Sequence, residues 1–123
     1  MKKIFLTLTL NLFILQAQTV DIMPITNALK AGNADLLKEM MTAEVDIVTP
    51  EASKKGNGND ALTLLKAFFR DNKTTGFAVA HHADKNESGF IVGKLTTEKR
   101  DFRVNITYTV KDGKILITII RIE

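Results

Sequence analysis

Residues 102–123 read FRVNITYTVKDGKILITIIRIE, and this stretch decides the fold. An Asp-Gly pair between two apolar, alternating runs is a strong hairpin signal, because both central residues of the tight turn need positive φ. With Asp112-Gly113 at the tip, Val110 faces Ile115, Tyr108 faces Ile117, Ile106 faces Ile119 and Val104 faces Arg121. A second two-residue turn at Lys99-Arg100 pairs Thr97 with Phe102, Leu95 with Val104, Gly93 with Ile106 and Ile91 with Tyr108. Both registers gather the bulky apolar side chains on one common face, as a half-buried sheet requires.

Working back from that sheet, the period of two persists to Gly76, with strands bounded by HADKNES (residues 82–88), EKRD (98–101) and KDGK (111–114). Before Gly76 the period is helical. In DALTLLKAFFRDN (residues 60–72), Ala61, Leu64, Leu65, Phe68 and Phe69 form one apolar stripe, opened by Asn59 or Asp60 as cap. GNGN, within the loop after VDIVT (residues 45–49), lacks the Lys-Ser/Thr pair of a phosphate-binding loop. DIMPITNALKAGNADLLKEMMTA (residues 21–43) reads as two helical pieces. Gly32 ends the first in the left-handed conformation, Asn33 caps the second, and Leu36, Leu37, Met40 and Met41 share its apolar side. Helices followed by a run of antiparallel strands predict an α+β fold, with the helices packed on one side of the sheet.

The first residues belong to no fold. MKKIFLTLTLNLFILQA (residues 1–17) has a basic start, an apolar run of roughly a dozen residues and a small residue at the end, the layout of a secretory signal peptide. A spanning helix needs roughly 20 apolar residues, so no stable membrane anchor is expected. Removing Lys2 and Lys3 leaves 15 basic against 14 acidic residues, too even a balance for a nucleic-acid binder. The expectation is a single domain over residues 18–123, exported to the periplasm or beyond. With no cysteine, it can have neither disulfides nor cysteine-ligated metal.

Both histidines lie in GFAVAHHAD (residues 76–84). Adjacent strand residues point to opposite faces, so the two cannot form one site. Phe77, Val79 and His81 are the bulkier set and should face the helices, leaving His82 outside. His81, Ile91, Tyr108 and Ile117 then form a row, with His81 and Tyr108 about 10 Å apart. Arg121 lies on the same face. An imidazole, a phenol and a guanidinium among aliphatic walls make a pocket for a small apolar or anionic ligand; the alternative is that His81 and Tyr108 are hydrogen-bonded core and Arg121 reaches the rim. No nucleophile–base set, carboxylate pair, metal cluster or cofactor motif is visible, and neither Asp46 nor Glu123 falls beside His81. On the last strand the other face carries Leu116, Thr118, Ile120 and Ile122, apolar enough to be covered. A second copy of the chain is one cover, an own loop the other.

ITNALKAGNADLL (residues 25–37), LLKAFF (64–69), FIVGKLTT (90–97), FRVNI (102–106) and DGKILITIIRIE (112–123) together resemble a family of small exported bacterial proteins, domain of unknown function 4783, within the nuclear transport factor 2-like superfamily. Gly93, Arg103 and the closing Arg121-Ile122-Glu123 carry the likeness best. His81 is similar to a histidine the family often places at this strand's end, although the glycine that tends to follow is here Ala83. The resemblance implies the cone-shaped α+β fold. It leaves function open, because the superfamily holds isomerases, dehydratases, ligand binders and dimerisation modules. The reading is a non-enzymatic ligand-binding or protein-interaction domain. The alternatives are an isomerase- or dehydratase-type enzyme using His81 as acid or base, and a dimerisation module with a filled cone.

Overall fold

The computed structural model describes residues 20–123, so the expected signal peptide lies outside the described residues. Two short helices, α1 (Met23–Ala31) and α2 (Ala34–Glu39), lead into strand β1 (Met41–Val48) and the two-residue β2 (Ser53–Lys54). Helix α3 (Gly58–Asp71) follows, then four long strands: β3 (Thr74–Lys85), β4 (Ser88–Thr97), β5 (Asp101–Lys111) and β6 (Lys114–Ile122). They form one sheet in the order β2-β1-β6-β5-β4-β3, antiparallel except where β1 runs parallel to β6. The α+β architecture is as the sequence reads.

Local chemistry explains the helix ends. Gly32 stops α1 at φ 63°, ψ 36°, and its N–H bonds back to Ala28 and Leu29. The Asn33 side chain accepts the Leu36 N–H and starts α2. For α3 the cap is Asn57 rather than Asn59 or Asp60, whose N–H groups both donate to the Asn57 side chain. Met41 is not helical but opens β1, because Met40 closes α2 and its carbonyl accepts the Ile117 N–H across the sheet. The apolar stripe of α3 is confirmed: Ala61, Leu65 and Phe68 are buried.

Three register details differ from the sequence reading. The β4–β5 turn spans four residues rather than two. The Thr97 hydroxyl donates to the Arg100 carbonyl and accepts the N–H groups of Lys99 and Arg100, knotting the loop with one side chain. Leu95 therefore pairs with Phe102, Gly93 with Val104 and Ile91 with Ile106; a slip of two keeps every side chain on its face. Two bulges do change faces. In β6 Thr118 is an extra residue: Tyr108 pairs with Ile117, but Thr107 pairs with Ile119 and Ile106 with Ile120. In β3 the extra residue is Ala80, between Val79 opposite Gly93 and His81 opposite Val92.

The β6 bulge corrects the expected outer interface. Ile120 and Ile122 turn inward, fully or almost fully buried, while Ile119 turns out and is 38% exposed. Of Leu116, Ile120 and Ile122, only Leu116 stays on the outer face, half-buried. Much of the apolar content of β6 thus serves the chain's own core. On the concave face Ile91, Ile106, Tyr108, Ile117 and Ile120 are inaccessible, packed with Ile25 and Leu29 of α1 and Leu65 of α3 in one cluster. The interior of the cone is filled by its own side chains. No helix among the described residues is long and apolar enough to cross a membrane.

Candidate functional site

Because of Ala80, the second histidine rather than the first reaches the inner face. His81 is exposed on the outer face, its ring 5.4 Å from that of Phe90. His82 pairs with Ile91 and points to the concave side. There its Nε2 lies 2.9 Å from the Tyr108 hydroxyl and 3.1 Å from Asp84 Oδ1. Tyr108 in turn donates its O–H to Asp84. The Val20 backbone lies close enough to add to the stabilisation of the Asp84 carboxylate. Tyr108 is fully buried, whereas the His82 and Asp84 side chains are 24% and 21% exposed. The cluster runs from core to solvent.

Gly89 makes the arrangement sterically feasible. It pairs with Asp84 on one side and Tyr108 on the other, and the phenol ring lies across its bare Cα. A Cβ there would sit 2.6 Å from Tyr108 Cζ and 2.7 Å from the Ala83 carbonyl oxygen. Gly93 gives the same clearance farther along β4, beneath the Phe77 ring.

Of the residues singled out in the sequence, only Tyr108 is in this cluster. Arg121 is on the outer face, its Nη1 3.7 Å from Glu123 Oε2, so the expected anchor for an anionic ligand is not beside the phenol. Asp46 accepts the Gly56 N–H and holds a loop. Asp84 escapes a reading of the sequence because HADKNES looks like a loop; the strand instead runs to Lys85 and turns at Asn86, φ 51°. A signal is present all the same. Counting back from a two-residue turn at Asn86-Glu87 puts His82 and Asp84 inward, while counting forward from Phe77 puts His81 inward. That clash of parity requires an inserted residue between them.

Burial alone would raise the Asp84 pKa, but the hydrogen bonds from Tyr108 and His82 and the attraction of His82 outweigh it, so the carboxyl is held below its usual range. Burial pushes the Tyr108 phenol well above its ordinary 10, and the hydrogen bond to Asp84 and the carboxylate's charge add to the rise. The two shifts stabilise the fold over different pH ranges. The Asp84 contribution is present above the unfolded carboxylate value near 4 and is lost as pH falls through the lower folded value. That of Tyr108 is present below about 10 and is lost as pH rises beyond it. Tyr108 is the chain's one tyrosine and there is no tryptophan, so absorbance titration reads it alone. We expect no phenolate signal at pH 10–11 until the protein unfolds. Tyr108→Phe should cost about 1.5–3 kcal/mol at neutral pH, as a hydrogen bond to a charged group does. In urea melts across pH it should also flatten the alkaline loss of stability.

The cluster offers one proton-transfer group held by two others. With Nε2 engaged by Asp84 and Tyr108, the His82 ring is fixed in plane and its Nδ1 is the nitrogen left for a ligand. No third His, Asp, Glu or Cys joins His82 and Asp84 as a metal-binding group among the described residues.

A family model described as domain of unknown function (DUF4783) matches residues 22–123. The chain belongs to this family. A DUF4783 protein from Bacteroides fragilis is 35% identical, with a TM-score of 0.75 over 81% of this chain and 94% of its own. One from Bacteroides ovatus is 32% identical, with the same TM-score, over 81% of this chain and 91% of its own. An NTF2-like protein of unknown function from Cytophaga hutchinsonii matches at TM-score 0.58 and 11% identity, covering 88% of this chain and 93% of that one; it shares the fold alone. No curated protein matches the chain. Both the DUF4783 family and the NTF2-like fold are therefore established.

Proposed function

We propose that this DUF4783 chain is an exported, non-enzymatic binding domain that takes a small ligand at the rim of the cone, with His82 as its polar anchor. The observation that carries the reading is the position of the cluster. Tyr108 is locked in a filled core while the His82 and Asp84 side chains, tied to it, remain partly open to solvent. Binding deep in the cone has no room, since the inner-face isoleucines are inaccessible. Without Arg121 at the site, an anionic ligand loses its partner; an Nδ1 acceptor beside an ionised Asp84 suits a molecule that donates hydrogen bonds, such as an amine or a polyol.

Native mass spectrometry of the processed protein from its host tests this. The expected result is a polypeptide beginning near Gln18 that carries an added mass lost on denaturation and absent from His82→Ala. A bare wild-type mass would overturn the ligand reading, and a chain still bearing residues 1–17 would overturn export.

The fixing of Nε2 by Asp84 and Tyr108 favours one second reading: His82, in place of the expected His81, acts as acid or base of an isomerase- or dehydratase-type reaction. It requires that His82→Gln abolish turnover of the bound molecule while the molecule still binds.

A further inference from the structure

We infer that the outer face of β3–β6 docks on an anionic lipid surface, with cations at its two ends meeting headgroups and an apolar centre meeting acyl chains. The register sets like charges directly opposite each other at both ends. Lys94 faces Arg103 across β4–β5, and Lys111 faces Lys114 across β5–β6, all four exposed. Directly opposed like charges destabilise a strand pair, so neither arrangement serves the fold itself. Arg121, one row in from Arg103, and Lys85, at the end of β3, add a third exposed cation to each end. The carboxylates along these strands are fewer and engaged. Asp101 lies 3.8 Å from Lys94 and Glu123 lies 3.7 Å from Arg121, while Asp46 of the adjoining β1 accepts the Gly56 N–H. Glu87 and Asp112 belong to the turns beyond the second cluster. Among the described residues, Lys85, Arg103, Lys111 and Lys114 have no carboxylate within 4 Å.

Between the two clusters the row Ala83, Phe90, Thr107 and Ile119 crosses all four strands, with Phe90 39% and Ile119 38% exposed. A shallow hollow of about 500 Å³, walled by Ala83, Phe90 and Thr107, lies over this row. A second of about 440 Å³ is lined by Ala80 and Val92 and reaches Lys94 and Arg103. Apolar side chains gathered in the middle of a face and bordered by charge mark a contact surface. From Arg103 to Lys111, β5 spans about 26 Å at roughly 3.3 Å per residue. An acidic protein would need two carboxylate clusters that far apart, with a matching apolar centre between them. A nucleic acid carries charge at any such spacing but offers Phe90 and Ile119 nothing apolar to enter. An anionic bilayer supplies phosphates at every point of its surface and acyl chains just beneath them, so it satisfies both ends and the centre together.

Vesicle flotation of residues 18–123, which hold every element of the fold, tests the inference. The vesicles are neutral phosphatidylcholine alone, or the same lipid with about one-third anionic phosphatidylglycerol. Wild type should float with the anionic vesicles only. Binding should fall as salt rises from about 0.1 to about 1 M and the Debye length shrinks from about 10 to about 3 Å. Each cation at such a surface strengthens binding roughly five-fold, so Lys94→Gln/Arg103→Gln and Lys111→Gln/Lys114→Gln should each weaken it roughly 25-fold. Their melting temperatures should hold or rise, because each variant loses an opposed like-charge pair; that separates a lost contact from a lost fold. Phe90→Ser/Ile119→Ser should also weaken binding while keeping its salt dependence. Wild type that ignores anionic vesicles overturns the inference, as do cation variants that bind like wild type and equal binding to neutral vesicles. Binding to a DNA duplex in place of vesicles overturns it too. So does a stable dimer in sedimentation velocity that stays off vesicles and is dissolved by Phe90→Ser/Ile119→Ser.

Discussion

Replacing Ile120 with alanine should destabilise the protein by about 2–5 kcal/mol, whereas the same change at Ile119 should cost less than about 1 kcal/mol. The two residues are neighbours with identical side chains, so only the direction each one faces distinguishes them. Ile120 is inaccessible, opposite Ile106 on one side and Ile47 on the other, and truncating it leaves a cavity between three strands. Ile119 stands outward and leaves none. Urea denaturation of the two variants in dilute solution measures the difference. The reverse order of costs would mean that β6 runs without its bulge and that Ile119 is the core residue.

Gly89→Ala is the second change with a large expected effect. It adds a single methyl group where the Ala83 carbonyl and the Tyr108 ring already stand, and the carbonyl belongs to the adjoining strand, so it cannot swing aside. Overpacking of this kind costs about 1–3 kcal/mol. The phenol must then tilt away from Asp84, so the Tyr108 absorbance titration should move down toward its ordinary range. Gly76→Ala is the control: nothing lies within 4 Å of its added methyl group, and melting should stay within a degree or two or rise slightly. A Gly89→Ala protein with wild-type melting and titration would show that the phenol does not lie across that glycine.

Most of the fold was legible because the relevant signals are local. Gly32, Asn33 and Asp112-Gly113 act within a few residues of themselves, and the α3 stripe repeats along one element. The faces of β4 and β5 survived a wrong turn length because an error of two residues preserves parity. What escaped was parity itself. Ile119 and Ile120 are the same residue, so the pattern of β6 fits either face until Thr118 is known to be the extra one. In β3, Ala78 and Ala80 give too little side chain to show where the alternation breaks. That one break exchanged His81 for His82 and hid Asp84 in an apparent loop. Gly89, an isolated glycine inside a strand, was the remaining clue, since it marks a place where another group comes close.

The position of β6 bears on the order in which the molecule forms. The last of the six strands in chain order, β6, lies inside the sheet, with β1 from the first part of the domain on one side and β5 on the other. The Thr42 hydroxyl meets the Ile117 carbonyl across 75 residues of chain. Until that strand arrives, β1 has no long strand to pair with, and α3, which packs on β1, lacks half of its support. The three-strand meander β3–β5 can assemble early, but closure waits for β6 and for its long-range encounter with β1, which is slow. Chains truncated before β6 should therefore remain loose and sensitive to protease, and the folded state should be gained in one late step.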